Sequence, residues 1–242
     1  LSNPYDPLSD PKDPSWNHDY MKYFRLWLNC FRNPNKYIKD KTTKKALISE
    51  SDFISDEFKP DNNISKKYDF LYICLKDDES KCDEGWNYYI RNWKLAKKLI
   101  KIMCTQFNLK GIIIGRKNCK LPEGCEKNIT LKDKVPQKEL IQIYNQTKIL
   151  LLPNIVDASP RTLAEALSCN VRCLVNYNIL GGWKYVNNQT GEFFKNENDF
   201  VHSLQKILRN YESYKPREYF WKNYGKFNSG VKLRDFLLKN LS

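Results

Sequence analysis

The sequence predicts an α/β protein built on a doubly wound parallel sheet. Short apolar runs at Asp69–Leu75, Gly111–Lys117, Ile149–Leu152 and Val171–Val175 end in charged or turn residues. Such runs are typical of strands that are buried on both faces of a parallel sheet. Segments with helical spacing separate the runs, and this alternation favours the doubly wound arrangement. The 242 residues, 41% of them hydrophobic, suffice for a large core.

The first 66 residues are predicted to form an extension of helical and irregular structure. Residues 1–15 carry four prolines and should be an extended arm. From Trp16 to about Arg32 the apolar residues recur at helical spacing, which predicts a helix that stops at Asn33-Pro34. Between residues 37 and 61 the pattern is mixed, and Ala46–Ile48 fits a short strand.

The next segment, 69–117, has the pattern of a strand–helix–strand unit. The strand Asp69–Leu75 is followed by a flexible acidic loop and by a long predicted helix, Trp86–Phe107. The strand Gly111–Lys117 then runs into a basic turn. Parallel strands joined by a helix are almost always right-handed units. The lysines of the long helix are best explained as a solvated face.

The most informative stretch is Lys148–Val175. Its strand ends at Pro153-Asn154, and a helix is expected from Pro160 to about Cys169, with Ser159 as its N-cap. This arrangement puts a helix N-terminus at the carboxyl end of a buried strand. Open α/β sheets bind ligands there, and the free backbone N–H groups and the helix dipole favour a phosphate.

Two acids bracket that helix start, Asp157 before the cap and Glu165 in the second turn, eight residues apart. The spacing resembles the acid-x7-acid motif of retaining glycosyltransferases with the GT-B fold, in their donor-binding C-terminal half, although the family usually begins with Glu. Glu165-Ala166 is similar to the family's Glu-Ala helix. Residues 179–182 and 190–194 are similar to its Gly-rich loop and its Thr-Gly-apolar turn.

The resemblance covers roughly residues 67–195, and it implies a Rossmann-like nucleotide-sugar-binding domain there. Residues 196–242 would then be C-terminal helices that pack back on the core, one at 197–210 and one near Val231–Leu241. The first 66 residues are far shorter than the complete N-terminal domain of an ordinary family member. The acceptor half is therefore expected to be missing, reduced or supplied by a neighbouring domain.

The resemblance also implies site residues and a reaction. Asp157 would bind sugar hydroxyls, and Glu165 would bind both ribose hydroxyls. The donor would be a UDP- or GDP-linked sugar, no metal or other cofactor would be required, and the sugar would pass with retention to a glycan or other hydroxyl acceptor. Surface or capping roles stay open for the lysines and for Arg161, and His18 is conceivable near the sugar. The implied donor-binding residues are Lys76, Arg116, Lys117, Ser159, Arg161, Thr162, Gly181, Gly182 and Lys184.

Two other functions remain open. One is a catalytically degenerate module that binds a sugar nucleotide or a glycan, which the short N-terminal part motivates. The other is a basic nucleic-acid-binding domain, because the net charge is +13. The lysines are scattered, however, and no Arg-rich arm or zinc-finger spacing is present. A dehydrogenase or a P-loop nucleotidase is disfavoured, because neither glycine motif follows a strand.

The eight cysteines include no CxxC pair, so a structural zinc site is not expected. Cys119 and Cys125 lie in one loop and can pair, but reduced thiols and a cytoplasmic location are favoured. No apolar run approaches a membrane span, and no signal peptide is visible. The chain does not begin with Met and is expected to be a module of a longer protein. Its Lys-, Asn- and Ile-rich composition is similar to that of glycosyltransferases of large DNA viruses and algae.

Overall fold

The protein has the predicted α/β architecture. The structure, a computed structural model, describes residues 24–37 and 41–241. The strands are β1 (Leu26–Asn29), β2 (Lys44–Leu47), β3 (Tyr68–Ile73), β4 (Gly111–Ile114), β5 (Ile129–Lys132), β6 (Thr147–Leu152), β7 (Arg172–Asn176) and β8 (Gly191–Phe194). The helices are α1 (Pro34–Tyr37), α2 (Trp86–Ile90), α3 (Trp93–Thr105), α4 (Gln137–Asn145), α5 (Arg161–Ser168), α6 (Glu197–Arg209), α7 (Pro216–Asn223) and α8 (Gly225–Leu241).

Six strands form one parallel sheet in the order β5-β4-β3-β6-β7-β8. Every neighbouring pair in it is parallel. From the central strand β3 the chain adds β4 and β5 on one side, then returns to add β6, β7 and β8 on the other. The strand order therefore reverses between β3 and β6. This is the doubly wound arrangement, so the predicted fold class is confirmed.

The core lies on both faces of this sheet. In β6, Ile149 and Leu151 pack into the cluster that includes residues of α3 and α6, whereas Leu150 and Leu152 pack into the cluster that includes residues of α4 and α5. Successive side chains of a strand point to opposite faces. A strand covered on both sides therefore needs an unbroken apolar run, which is the pattern seen in the sequence.

The helix predicted from Trp16 to Arg32 is wrong over its described part. Residues 24–32 contain β1, which pairs in parallel with β2 so that Leu26 lies opposite Lys44 and Asn29 opposite Leu47. Aromatic and branched residues suit a strand as well as a helix, and the partner strand decides between them. The short strand expected near residue 46 is confirmed as β2. The arm at 1–15 and His18 lie outside the described residues.

The single helix predicted for Trp86–Phe107 is instead two helices, α2 and α3. Asn92 separates them with a φ of 53°, in the left-handed region that Asn tolerates better than most residues. Its side-chain oxygen accepts a hydrogen bond from the backbone N–H of Leu95 at the start of α3. Its amide donates to the carbonyl oxygen of Pro153, 3.1 Å away at the end of β6. The hydrogen bond from Asn92 to the end of β6 thus stabilises the break between α2 and α3.

The cysteines also depart from the expected state. Cys82, after β3, and Cys119, after β4, form a disulfide, whereas reduced thiols were expected and Cys125 was the candidate partner. The Cys125 side chain is buried and contacts the carbonyl oxygen of Ile100 instead. The loops after β3 and β4 leave neighbouring strands at the same edge of the sheet. That proximity, invisible in the spacing, brings Cys82 and Cys119 together.

The C-terminal helices pack on the sheet domain and on the segment before it. The helix predicted at 197–210 is confirmed as α6, and the last helix, α8, begins at Gly225 rather than near Val231. The hydroxyl of Ser229 in α8 contacts the carbonyl oxygen of Asp52, 3.2 Å away in the 3-10 turn Glu50–Phe53. None of the helices in 24–37 and 41–241 combines the length and apolarity that a bilayer crossing demands.

Candidate functional site

A cleft of about 840 Å³ opens at the carboxyl ends of β3, β4 and β6. Its walls include Ile73 and Leu75 from the end of β3, Ile114 from the end of β4, and residues 156–159 after β6. The strand order reverses here, between β3 and β6, and open α/β sheets bind their ligands at such a point. The volume suits a small-molecule site, which commonly measures ~300–1,000 Å³.

Asp157 lies in this cleft, on the loop that follows β6. Its carboxylate forms an ion pair with the guanidinium of Arg91, and it accepts a hydrogen bond from the amide of Asn154 at 2.7 Å. The side chains of Arg91 and Asp157 are 25% and 10% exposed. The pair is thus shielded from bulk water on most sides but remains accessible to a ligand that enters the cleft.

Glu165 lines the same cleft from α5. The hydroxyl of Tyr144, in α4, donates a hydrogen bond of 2.8 Å to its carboxylate. Burial raises the pKa of the Glu165 carboxyl above its ordinary value, against the lowering effects of the Tyr144 hydrogen bond and the charges of Arg161 and Arg91. The two acids therefore share one cavity but have different partners, Arg91 and Asn154 for Asp157 and Tyr144 for Glu165.

The start of α5 faces the cleft, with Arg161 and Thr162 in its wall. Ser159 also lines the cleft, yet it is not the predicted N-cap, and the helix begins one residue later, after Pro160. The Ser159 hydroxyl instead lies 2.8 Å from the hydroxyl of Ser51 and accepts from its backbone N–H at 3.1 Å. Ser159 thus joins the loop after β6 to the segment before β3.

Gly181 and Gly182 lie behind the acidic loop and are not part of the cleft wall. The N–H of Gly181 donates to the carbonyl oxygen of Asp157 at 2.8 Å. A Cβ on Gly181 would sit 1.7 Å from the oxygen of Ala158, and Gly182 has a φ of 73° against the ring of Pro160. The loop can approach so closely only because neither residue has a side chain. Gly181 thus packs against the backbone of Ala158, and Gly182 packs against the side chains of Pro160 and Leu163.

Three basic residues predicted to bind the donor do not line the cleft. The Lys76 ammonium pairs with the carboxylate of Glu79 at 2.7 Å, with its own side chain only 3% exposed. Lys117 pairs with Asp133 at 3.0 Å on the surface. Arg116 is fully buried, and its guanidinium donates to the carbonyl oxygen of Cys82 at 2.8 Å. Each of these cations is instead bonded to a neighbouring residue of the protein.

Lys184 is likewise outside the cleft. Its ammonium lies 2.6 Å from the carboxylate of Asp52, and the two side chains are 5% and 2% exposed. The hydroxyl of Tyr185 also donates to Asp52, and the backbone N–H of Ser49 donates at 2.9 Å. Burial lowers the pKa of the Lys184 ammonium, although the Asp52 charge opposes that shift. Lys184 therefore ties the Gly-rich loop to the N-terminal segment.

Sequence reasoning missed several residues of the cleft. Arg91 was placed inside one long helix, where its side chain had no assigned function; the break at Asn92 is what turns it to Asp157. Tyr144 is not among the residues predicted for the site, yet its hydroxyl donates a hydrogen bond to Glu165. The cleft also has an apolar part formed by Ile114, Val135 and Leu140. The available signal was Asn92, directly before Trp93. Asn is a favoured N-cap, so it indicates that a new helix starts just after Arg91.

The arrangement suits a ligand with an anionic centre and hydroxyl groups. Arg91 and Arg161 supply positive charge beside the N-terminus of α5, and the acids can accept hydrogen bonds from hydroxyls. Among the residues that the structure describes, no group of three His, Cys, Asp or Glu side chains has the arrangement of a metal site.

Comparison with known proteins gives a family and a fold. Residues 84–226, more than half of the chain, match the family described as glycosyl transferases group 1. No curated protein matches the sequence. Similar solved structures include the pneumococcal O-GlcNAc transferase GtfA in complex with UDP and GlcNAc, at 13% identity and a TM-score of 0.65, over 95% of this chain and 48% of that one.

Two further structures are similar. Sucrose-phosphate synthase from Thermosynechococcus elongatus has 11% identity and a TM-score of 0.66, over 95% of this chain and 62% of that one. The lipopolysaccharide outer core galactosyltransferase WaaB, in its apo form, has 14% identity and a TM-score of 0.69, over 97% of this chain and 66% of that one. The chain thus spans between about half and two thirds of these proteins, and the likeness shows the fold.

Proposed function

Because the chain belongs to the glycosyl transferases group 1 family, we propose that it binds a nucleotide-diphosphate sugar in the cleft and transfers the sugar to a hydroxyl acceptor. Its parallel sheet and flanking helices are those of the C-terminal half of the GT-B fold, as the resemblance implied. The observation that carries the proposal is that Asp157 and Glu165 line one cleft beside the start of α5.

The donor would lie across the cleft with its nucleoside near Glu165 and its sugar near Asp157. Glu165 would accept hydrogen bonds from the ribose hydroxyls, and the apolar wall of Val135 and Leu140 would cover the uracil or guanine base. Arg161 would meet the diphosphate, together with the backbone N–H groups at the start of α5. Asp157 would then hold hydroxyls of the sugar. What supports this order is the partner of each acid: Tyr144 of α4 bonds to Glu165, and Arg91, just after α2, pairs with Asp157.

Arg91 would be the cation nearest to the reacting bond. It pairs with Asp157, and a bound diphosphate would compete for it, because a guanidinium binds phosphate oxygens through two parallel hydrogen bonds. Turning Arg91 to the phosphate would also free Asp157 for the sugar. Negative charge grows on the phosphate as the bond breaks, so Arg91 and Arg161 would stabilise the transition state more than the ground state.

The reaction we propose needs no metal and no enzymic nucleophile. The bond between the anomeric carbon and the phosphate oxygen breaks, and its electron pair leaves with the nucleoside diphosphate. The acceptor oxygen bonds to the same carbon, from the same face in a retaining reaction, and its proton passes to the departing phosphate. The protein contributes orientation and electrostatic stabilisation.

Calorimetry with UDP, GDP, ADP and the corresponding sugar nucleotides tests the donor site. We expect one base to bind, and Glu165→Ala to weaken its binding by at least about tenfold, since hydrogen bonds to a charged group contribute ~1.5–3 kcal/mol. Glu197→Ala is the matched control, because Glu197 lies on the surface and pairs with Lys98. Equal binding by wild type and Glu165→Ala, or no binding by wild type, contradicts the proposal.

A second candidate is a degenerate module that binds a sugar nucleotide without transferring the sugar. The observation that favours it is Asp157, which stands where the acid-x7-acid motif usually begins with Glu. Nucleotide binding without transfer or donor hydrolysis, even with flanking domains restored, would support it. Nucleic-acid binding is less favoured, because Lys97, Lys98 and Lys101 of α3 each pair with a carboxylate.

A further inference from the structure

Two large aromatic side chains are exposed on α2, beside the cleft. Trp86 is 59% exposed and Tyr89 61% exposed. Their ring centroids lie 6.2 Å apart, with the ring planes tilted by 37°. Trp86 also forms part of the cleft wall. Adjoining exposed rings next to a ligand cleft are more informative than single exposed apolar residues, because contiguous apolar surface marks a binding site.

Hydrogen bonds fix α2 in position, although none of its five residues is buried. At its start the carboxylate of Asp77 accepts from the backbone N–H and the side-chain amide of Asn87, at 2.7 and 2.6 Å. Just past its end the carbonyl oxygen of Arg91 accepts from the hydroxyl of Tyr72 at 2.9 Å. A helix this short does not hold itself in water. These hydrogen bonds therefore hold α2, and with it the rings of Trp86 and Tyr89, in a fixed position.

The rings of Trp86 and Tyr89 lie at the end of the cleft where, by the proposed function, the transferred sugar would bind. Glu165 bonds to Tyr144 of α4, and Leu140 of the same helix belongs to the apolar wall, so the nucleoside lies toward α4. Asp157 bonds to Arg91, which directly follows α2. Trp86 comes five residues before Arg91, or about 7.5 Å along a helix axis. The rings therefore lie on the same side of the cleft as Arg91 and Asp157, where the proposed function places the transferred sugar.

We propose that Trp86 and Tyr89 form a stacking platform for a pyranose ring of the acceptor, and that the acceptor is therefore a saccharide. This inference rests on the proposed function. The C–H face of a pyranose packs on an aromatic ring while its hydroxyls stay in water, which suits rings that are rigid and half exposed. A lipid chain fits less well, because the charged residues Lys81, Asp83 and Glu84 surround the start of α2.

Calorimetry on the complete chain tests the platform with UDP, or the nucleotide found above, and with maltose, lactose, cellobiose and diacetylchitobiose. We expect Trp86→Ala and Tyr89→Ala to weaken disaccharide binding by about tenfold. Tyr89→Ala, which lies outside the cleft wall, should leave nucleotide affinity unchanged. Trp86→Phe should retain most of the binding, since it keeps a ring. The control is Phe227→Ala, which removes another exposed ring, on α8, 77% exposed.

The outcomes separate the two proposals. If wild type binds the nucleotide but none of the disaccharides, the platform is refuted and the donor site stands. The platform is also refuted if Trp86→Ala weakens the nucleotide as much as the disaccharide, or if Phe227→Ala acts like Trp86→Ala. If wild type binds neither ligand, the proposed function fails and the platform fails with it.

Discussion

Replacing Lys184 by methionine leaves the carboxylate of Asp52 in the protein interior without its cation. The two side chains are 5% and 2% exposed, and the ammonium lies 2.6 Å from the carboxylate. Methionine is apolar and similar in length, so it fills much of the space without supplying charge. The substitution therefore isolates the electrostatic partner from the packing of the side chain.

The expected cost follows from the burial of the pair. Removing one partner of a buried ion pair typically costs ~3–5 kcal/mol, because a charge stays buried without compensation. Asp52 keeps the hydrogen bonds from Tyr185 and from the backbone of Ser49, so we expect the lower end, about 3 kcal/mol. For a chain of this size that lowers the Tm by about 6–12 °C.

Replacing both partners should be much milder. Burial lowers the pKa of the Lys184 ammonium despite the Asp52 charge, so desolvation outweighs attraction for this group. The intact pair thus adds little net stability, and Asp52→Asn with Lys184→Met should recover most of the loss. The surface pair Lys98–Glu197 is the control, because its side chains are 58% and 45% exposed. Lys98→Met should cost no more than ~0.5 kcal/mol.

Thermal and urea unfolding measure these differences, and calorimetry with the nucleotide measures binding in the same proteins. We expect Lys184→Met to lower stability and to leave nucleotide affinity unchanged below its Tm. The reasoning is refuted if Lys184→Met unfolds like Lys98→Met. It is also refuted if nucleotide binding is lost in a protein of unchanged stability, since Lys184 would then contact the donor.

Three further predictions concern the cleft and its supports. Burial raises the pKa of Glu165, so its ionisation costs stability as the pH rises above the ordinary pKa of a glutamic acid. Glu165→Gln should therefore raise the Tm more at about pH 7 than at about pH 4. An equal change in Tm at both pH values contradicts this. Gly181→Ala should lower the free energy of unfolding in urea by at least ~2 kcal/mol, because the added Cβ meets a backbone oxygen at 1.7 Å. Gly230→Ala is the control: nothing lies within 4 Å of its added Cβ, and it should stabilise α8 by about 0.5–1 kcal/mol. Similar values for both variants would be inconsistent with the loop contact. Reducing the Cys82–Cys119 disulfide, of sequence separation 37, should lower the free energy of unfolding by roughly 4 kcal/mol, and an unchanged urea midpoint with dithiothreitol would exclude a disulfide in solution.

Sequence by itself determined the fold class, the central strands of the sheet and the edge at which the cleft lies. Those features depend on local patterns: unbroken apolar runs mark strands covered on both faces, and helical spacing marks the helices between them. Two acids eight residues apart, before and within a helix that follows such a strand, must lie near the carboxyl edge of the sheet. The structure places Asp157 and Glu165 in one cleft at that edge.

Tertiary structure alone decided which charges line the cleft and which hold the fold together. Nothing local in the sequence distinguishes Arg116 and Lys184 from Arg91. Arg116 and Lys184 are buried in the protein interior, and of these three residues only Arg91 lines the cleft. The partners that make this difference, Cys82 and Asp52, lie 34 and 132 residues away from Arg116 and Lys184. A side chain's role depends on what folding brings next to it, and no local pattern contains that information.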